Sequence, residues 1–420
     1  MKDNRKITFI FLILYISWSW IFYHSVFASS APIFLSLFLL IFLYGNHTYR
    51  YIGGKIDSST VACLPFFIYM SFCYFFQLDF EHLLYWMIAS SILLTAHKTC
   101  MIDKFPHALM IIIGLVTTAG VLVQWLLPDF YDSNINPLLV YEMLDQWDEA
   151  EIGLNGFTYQ LGHTSRLIVL GLIVLLFVGD KFKLFANYRI LKLVFIFAMM
   201  ISIFLTSKRM NAAIGLLILV MYYLFYNPSK SYKHYLSLIA FLIVLGLGGN
   251  YLVTNAALLV DSPLLGRIAA TVMEFSGGQE ISSSGRDYIW KQAMLHYNEH
   301  PMLGIGISNF KEIEGISVHN TYIQMLCEGG ILGFTLMIIP FVWCFISSVK
   351  RCLIDKKTRY YPYLLLSLAF QLNFIIEGIT DNAIENTTGF IIYAFAISIL
   401  VDYKNRYNLC KMEEDKRINI

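Results

Sequence analysis

Charge is what this chain has least of. Asp, Glu, Lys and Arg make up 14% of its 420 residues, against about 25% in an average soluble domain. Hydrophobic residues reach 57% and aromatics 16%. So few charges cannot cover a water-soluble surface of this size, and the composition is that of a polytopic membrane protein. The chain also lacks any C-x-x-C pair. Its seven cysteines (Cys63, Cys73, Cys100, Cys327, Cys344, Cys352 and Cys410) indicate neither a disulfide framework nor a zinc site. They read as small hydrophobes in helices. No repeat of fixed period and no low-complexity stretch is present. A cleavable signal peptide is not expected either, because the first apolar run, about 7–28, is too long for one and reads as a span that stays.

What is there is a series of long apolar runs. A span needs roughly 20 apolar residues, and the sequence predicts about twelve transmembrane helices. They fall near 7–28, 31–45, 60–78, 83–96, 106–127, 159–178, 191–206, 210–227, 235–254, 331–349, 361–377 and 387–402. The second and fourth are short enough to tilt together as a hairpin. With both termini cytoplasmic, all but seven of the 30 basic residues fall inside, as the positive-inside rule requires. The seven left outside are Arg166, Lys208, Arg209, Arg267, Arg286, Lys291 and Lys311. The expected fold is an all-α polytopic integral membrane protein with a large extracytoplasmic loop containing short amphipathic helices. Its expected parts are 1–158 (N-terminal spans and a first outer loop), 159–254 (central spans), 255–330 (the large loop) and 331–420 (C-terminal spans and tail).

The large loop holds the polar island Ile281–Gly333. Ser284 and Asp287 form the S-x-x-D start of a helix. Trp290, Met294 and Tyr297 then recur at helical spacing as an apolar stripe, and Pro301, Gly304 and Gly306 predict a stop and a tight turn. Arg286 sits in the first helical turn, where a cation opposes the dipole. Spacing alone leaves it two roles, pairing with an outer acid or holding an anionic ligand. His319 and Asn320 precede the next apolar run, with Glu328 close behind. A lone histidine is more often structural than catalytic. Here, though, it has polar company that the other outer histidines, His24, His82 and His163, lack, and imidazole both takes and gives protons near neutral pH.

Lys208 and Arg209 form nearly the whole outer turn between two spans, against the charge rule. Arg166 lies one or two turns into a span, where an ionisable residue costs at least ~2.5 kcal/mol unless it snorkels or meets a wet cavity. Together with Arg286 these cations suit phosphate, which the guanidinium fork binds through paired bonds. The segment 128–158 carries seven acids and no Lys or Arg. It is either a solvated lid or a loop whose Phe130, Tyr131, Tyr141 and Trp147 stack on sugars.

The runs S-G-R-x-x-x-W (from Ser284), H-P-M-L-G-I-G (from His300) and H-N-T-Y-I-Q-M-L-C-E-G-G-I-L-G (from His319), with T-S-K-R upstream, resemble the signature region of the O-antigen polymerase and ligase family. The resemblance covers about 200–335. It implies a membrane glycosyltransferase of the bacterial cytoplasmic membrane, active at the outer face and needing neither metal, cofactor nor nucleotide sugar. It implies a polyprenyl-pyrophosphate-linked oligosaccharide donor (undecaprenyl pyrophosphate), a glycan acceptor and membrane lipid as partners, with a chain-length regulator as a further candidate and no nucleic acid. Arg209 and Arg286 match the family's pyrophosphate-binding arginines, and His319 its essential histidine. Lys208, Arg166, Asn320 and Glu328 are expected to line the substrate site. The implied activity is polymerisation of capsule or O-antigen repeat units. The alternatives are ligation of finished glycan to a lipid or protein, and, in another class, flipping of lipid-linked sugar. Transporters carry their polar groups at mid-membrane, whereas these crowd the outer edge.

Overall fold

The computed structural model describes residues 57–95, 104–138, 153–158, 161–226, 286–356, 358–384 and 387–418, with short pieces at 250–251, 254–259, 269 and 273. Among the described residues all regular structure is helical. The helices are α1 (Ser58–Phe76), α2 (Phe80–Thr95), α3 (Lys104–Leu126), α4 (Pro128–Asn134), α5 (Leu161–Val178), α6 (Lys183–Asn187), α7 (Arg189–Leu205) and α8 (Arg209–Phe225). They continue as α9 (Ala256–Leu259), α10 (Arg286–Glu299), α11 (Asn309–Glu314), α12 (Thr321–Ile354), α13 (Tyr361–Glu377) and α14 (Thr387–Ile418).

Among the described residues, four stretches are long and apolar enough to cross a bilayer: Ser58–Phe76, His107–Leu126, Leu161–Lys181 and Thr321–Ile354. The protein is a multi-pass membrane protein. The expected spans at 7–28 and 31–45, and nearly all of 235–254, lie outside the described residues. The other expected spans coincide with helices, but α2, α7, α8 and α13 have only 16 or 17 residues. That is about 25 Å of rise, somewhat short of a hydrocarbon core of roughly 30 Å. Two helices extend beyond the expected spans. The one expected at 331–349 begins after a non-helical Gly330 and is preceded across that break by a helical segment from Thr321, so the polar end of the island is itself helical. The helix that holds the span expected at 387–402 runs on to Ile418, because no Gly or Pro interrupts the charged tail.

The chain divides into two compact units. In the first, residues 27–106 and 285–420 among them, α1 packs on α2 and α12, α14 on α2 and α13, and α10 on α12. Its centre is aromatic. Trp86 lies 4.1 Å from Phe390 between ring centroids and meets Phe66 edge-on at 5.5 Å, with Phe341, Phe374 and Tyr393 beside them. Such pairs contribute roughly 0.5–1.5 kcal/mol each beyond their burial. At one end Lys404 Nζ donates to Asp57 Oδ1 (3.0 Å), the same oxygen that caps α1 by accepting from Ser59 N (2.8 Å).

In the second unit, 107–284, α5 is the axis and is almost wholly buried, with α7 and α8 packed against it. Gly114 and Gly171 let α3 and α5 cross backbone to backbone. A Cβ on Gly171 would stand 2.8 Å from Gly114 Cα, the small-residue contact by which apolar helices associate where water provides no driving force. Tyr131, one of the aromatics offered as a sugar platform under one of the two readings of this segment, is buried, and its hydroxyl donates to the Gly156 carbonyl. Phe130 is exposed, and Tyr141 and Trp147 lie outside the described residues.

Candidate active site

The island folds around a break in α12. Gly330, inside that helix, has φ 60° and ψ −167°, a conformation essentially confined to glycine. Breaking a helix frees carbonyls before the break and amides after it, and inside a membrane each needs a partner. The chain after His300 supplies them. Ile305 N donates to Cys327 O (3.0 Å) and Gly306 N to Glu328 O (2.9 Å), while Ile331 N and Leu332 N donate to Pro301 O (2.9 Å) and Met302 O (3.2 Å). The backbones come so close that a Cβ on Gly304 (φ +70°) would lie 2.4 Å from Glu328 O, and one on Gly330 2.5 Å from Met302 O. The glycine turn expected at 304–306 and the E-G-G of α12 are thus two halves of one joint.

Glu328 braces the same joint. It is buried, with Oε1 accepting from Phe310 N (3.2 Å) at the start of α11 and Oε2 from Gln324 Nε2 (3.0 Å). The Gln77 amide donates to Ile307 O, tying α1 to the loop. His296 Nε2 meets Glu314 Oε1 at 2.9 Å, joining α10 to α11. The buried face of α10 differs from the expected one. Ile289 and Ala293 go inside with Phe310, Val318 and Cys327, Trp290 is partly buried against that cluster, and Met294 is exposed. The face is turned by about one residue because α10 packs on its own loop and α12, which the apolar periodicity does not encode.

His319 stands between two clamped neighbours. Val318 is buried in the cluster, and its carbonyl accepts from Trp290 Nε1 (3.0 Å). Asn320 is the N-cap of α12. Its Oδ1 accepts from Tyr322 N and Ile323 N (both 3.0 Å), and its Nδ2 donates to Ile379 O (3.0 Å). Between them His319 has φ +55°, where an L-residue is destabilised by roughly 1–2 kcal/mol. Its side chain is half-buried. A non-glycine residue keeps such a conformation only where its surroundings over-determine it. Arg286 lies one turn before Trp290 on α10, about 6 Å along the axis, so the Trp290 bond puts the end of α10 that carries Arg286 next to the His319 loop.

Sequence reasoning passed over the turn Gly378–Ala383, between α13 and α14. Thr321 N donates to Gly378 O (2.8 Å), Thr321 Oγ1 donates to Asp381 O (2.8 Å) and accepts from Ala383 N (2.8 Å), and Tyr322 OH donates to Ile375 O (2.7 Å). The signal was the short polar G-I-T-D-N run between two apolar helices.

In the second unit, the turn from α7 to α8 passes through Ser207 (φ +55°), with Lys208 as the N-cap residue and Arg209 opening α8. Lys208 Cε reaches to 3.9 Å from where a Cβ on Gly162 would be, one turn before the buried Arg166 on α5. Beside Arg166, Asn211 Nδ2 donates to Ser165 Oγ. Arg166, Lys208 and Arg209 therefore occupy one end of this unit, and the Leu154 N to Leu205 O bond (3.0 Å) brings the end of the acidic segment there too. Arg166 is covered by protein rather than extended along a helix surface.

Residues 193–338 match the O-antigen ligase family. Over that stretch, about a third of its length, the chain is similar to the O-antigen ligase family. The match takes in Lys208, Arg209, Arg286, His319, Asn320 and Glu328, together with the whole joint, and leaves Arg166 outside. The chain is also similar to the exopolysaccharide production protein ExoQ of Rhizobium meliloti (strain 1021), at 26% identity over 126 residues. That similarity covers 24% of this chain and 29% of the relative, so it spans about three tenths of ExoQ's length.

Proposed function

We propose that the chain is a membrane glycosyltransferase that polymerises polyprenyl-pyrophosphate-linked oligosaccharide repeat units into a surface polysaccharide at the outer face of the cytoplasmic membrane. The observation that carries this reading is the left-handed His319, held between Val318 and Asn320 within the stretch that matches the O-antigen ligase family. In the proposed reaction an acceptor sugar hydroxyl oxygen attacks the anomeric carbon of the donor. Its proton passes to the His319 imidazole, and the bond from that carbon to pyrophosphate breaks, inverting the centre. Arg286 stabilises the charge that grows on the leaving polyprenyl pyrophosphate, and Arg209, Lys208 and Arg166, in the second unit, are assigned by this reading to anion binding. Asn320 and Glu328 serve by fixing the loop, since their hydrogen-bonding atoms already hold backbone and side chain there.

A second reading, transfer of finished glycan to a lipid or protein acceptor, is favoured by the description of the matching family. The exopolysaccharide role in the relative's name favours polymerisation. Full-length protein in vesicles with a lipid-linked repeat unit is expected to yield longer glycan, and no lengthening would refute the polymerase reading. In a deletion strain, single lipid-linked units should accumulate. Undelivered long chains would instead identify a ligase.

A further inference from the structure

The face of α7 turned away from α5 carries Ile190, Leu193, Val194 and Phe197, spaced as one helical stripe and all more than half exposed. Its opposite face is the packed one, with Lys192, Met199, Ser202 and Ile203 buried. At the start of the stripe the chain makes a short shelf, α6, from which Leu184 and Tyr188 project. Shelf and helix enclose an open groove of about 600 Å³ lined by Leu184, Tyr188, Arg189 and Ile190, among others.

Three cations, Lys181, Lys183 and Arg189, stand on this shelf. Among the described residues the nearby acid is Asp180, and it does not neutralise them because it is already engaged. Its Oδ1 accepts from the buried Lys192 Nζ (2.9 Å) and its Oδ2 from Tyr226 OH (2.9 Å). Lys192 also lies over the Tyr222 and Tyr226 rings, at 5.3 and 5.8 Å. That internal clasp leaves a positive rim above an apolar stripe, with an aromatic residue at the boundary. The arrangement matches a phospholipid with a negative headgroup: phosphate at the rim, glycerol near Tyr188, acyl chains down the stripe.

We propose that Lys181–Phe197 is a binding site for an anionic phospholipid of the bilayer, its phosphate held by Lys181, Lys183 and Arg189 and its chains seated along Ile190, Leu193, Val194 and Phe197. This site is separate from the cations at the other end of the same unit and does not rest on the glycan reading.

Native mass spectrometry of the purified full-length chain, titrated with equal amounts of phosphatidylglycerol and phosphatidylcholine, tests it. Each basic residue at a membrane surface raises anionic-lipid partitioning about fivefold. Allowing for mutual screening, the expected retention of phosphatidylglycerol over phosphatidylcholine is at least about tenfold. The Lys181→Gln/Lys183→Gln/Arg189→Gln variant should bring the ratio near one. If that variant does not fold, Lys183→Gln alone should lower the ratio about twofold. Equal retention by the wild type, or an unchanged ratio in the folded variant, would overturn the proposal. So would displacement of the lipid by equimolar soluble glycerol phosphate, since a site that ignores acyl chains is not a lipid site.

Discussion

Replacing His319 once by glycine and once by alanine separates what its side chain does from what its backbone tolerates. Both variants remove the imidazole and whatever it touches, so they differ only by a Cβ. At an ordinary position alanine is the better residue by roughly 0.5–1 kcal/mol, because glycine loses more freedom on folding. At φ +55° the Cβ itself is unfavourable by roughly 1–2 kcal/mol. The order should therefore reverse, with His319→Gly more stable than His319→Ala by about 0.5–1 kcal/mol, or ~1–3 °C in a melting experiment on a fold of this size. Both variants should fail to lengthen lipid-linked glycan. The assay pairs thermal unfolding in detergent with product length from reconstituted vesicles. If the alanine variant proves as stable as the glycine variant, Val318 and Asn320 do not hold His319 in the left-handed region. Wild-type polymer from either variant would remove His319 from the chemistry.

Three further perturbations probe the same framework. Gly330→Ala places a Cβ 2.5 Å from Met302 C and O at a φ/ψ pair essentially confined to glycine, and should destabilise by roughly 3–5 kcal/mol, read as loss of folded protein from membranes. Trp290→Phe keeps the ring packing but removes the 3.0 Å bond to the Val318 carbonyl. Stability should fall by about 1 kcal/mol, while glycan synthesis falls more steeply and shifts in its pH profile as His319 loses its fixed position; an unchanged profile would reduce Trp290 to a packing residue. Arg286→Ala should abolish product while the protein still inserts, and Arg286→Lys should recover little of it, because an ammonium cannot replace the paired bonds of a guanidinium. Full activity in the lysine variant would make Arg286 a simple point charge.

Much of the frame was legible beforehand, for physical reasons. Apolar runs near bilayer length have few options but helix, since only internal hydrogen bonds satisfy a backbone in lipid, and so α1, α3, α5 and α12 appear where hydropathy puts them. The helix α10 and the positive φ at Gly304 and Gly306 follow from local signals alone. The buried face of α10 was misread because its partner is the loop carrying Phe310 and Val318, and an amphipathic pattern does not name its partner. The Gly378–Ala383 turn was overlooked for a similar reason. Its role lies in carbonyls offered to Thr321 and Asn320, and main-chain groups leave no trace in residue identity.

By itself the sequence determined that this is a multi-pass helical membrane protein, and it singled out Lys208, Arg209, Arg286 and His319 as candidates. Those properties belong to single residues and to short-range periodicity. Only the tertiary structure decided that the two glycine motifs form one joint, that Glu328 braces it, and that Val318 and Asn320 hold His319 left-handed. Each of these depends on contacts between residues distant along the chain, where strain at one position is balanced by hydrogen bonds and packing at another.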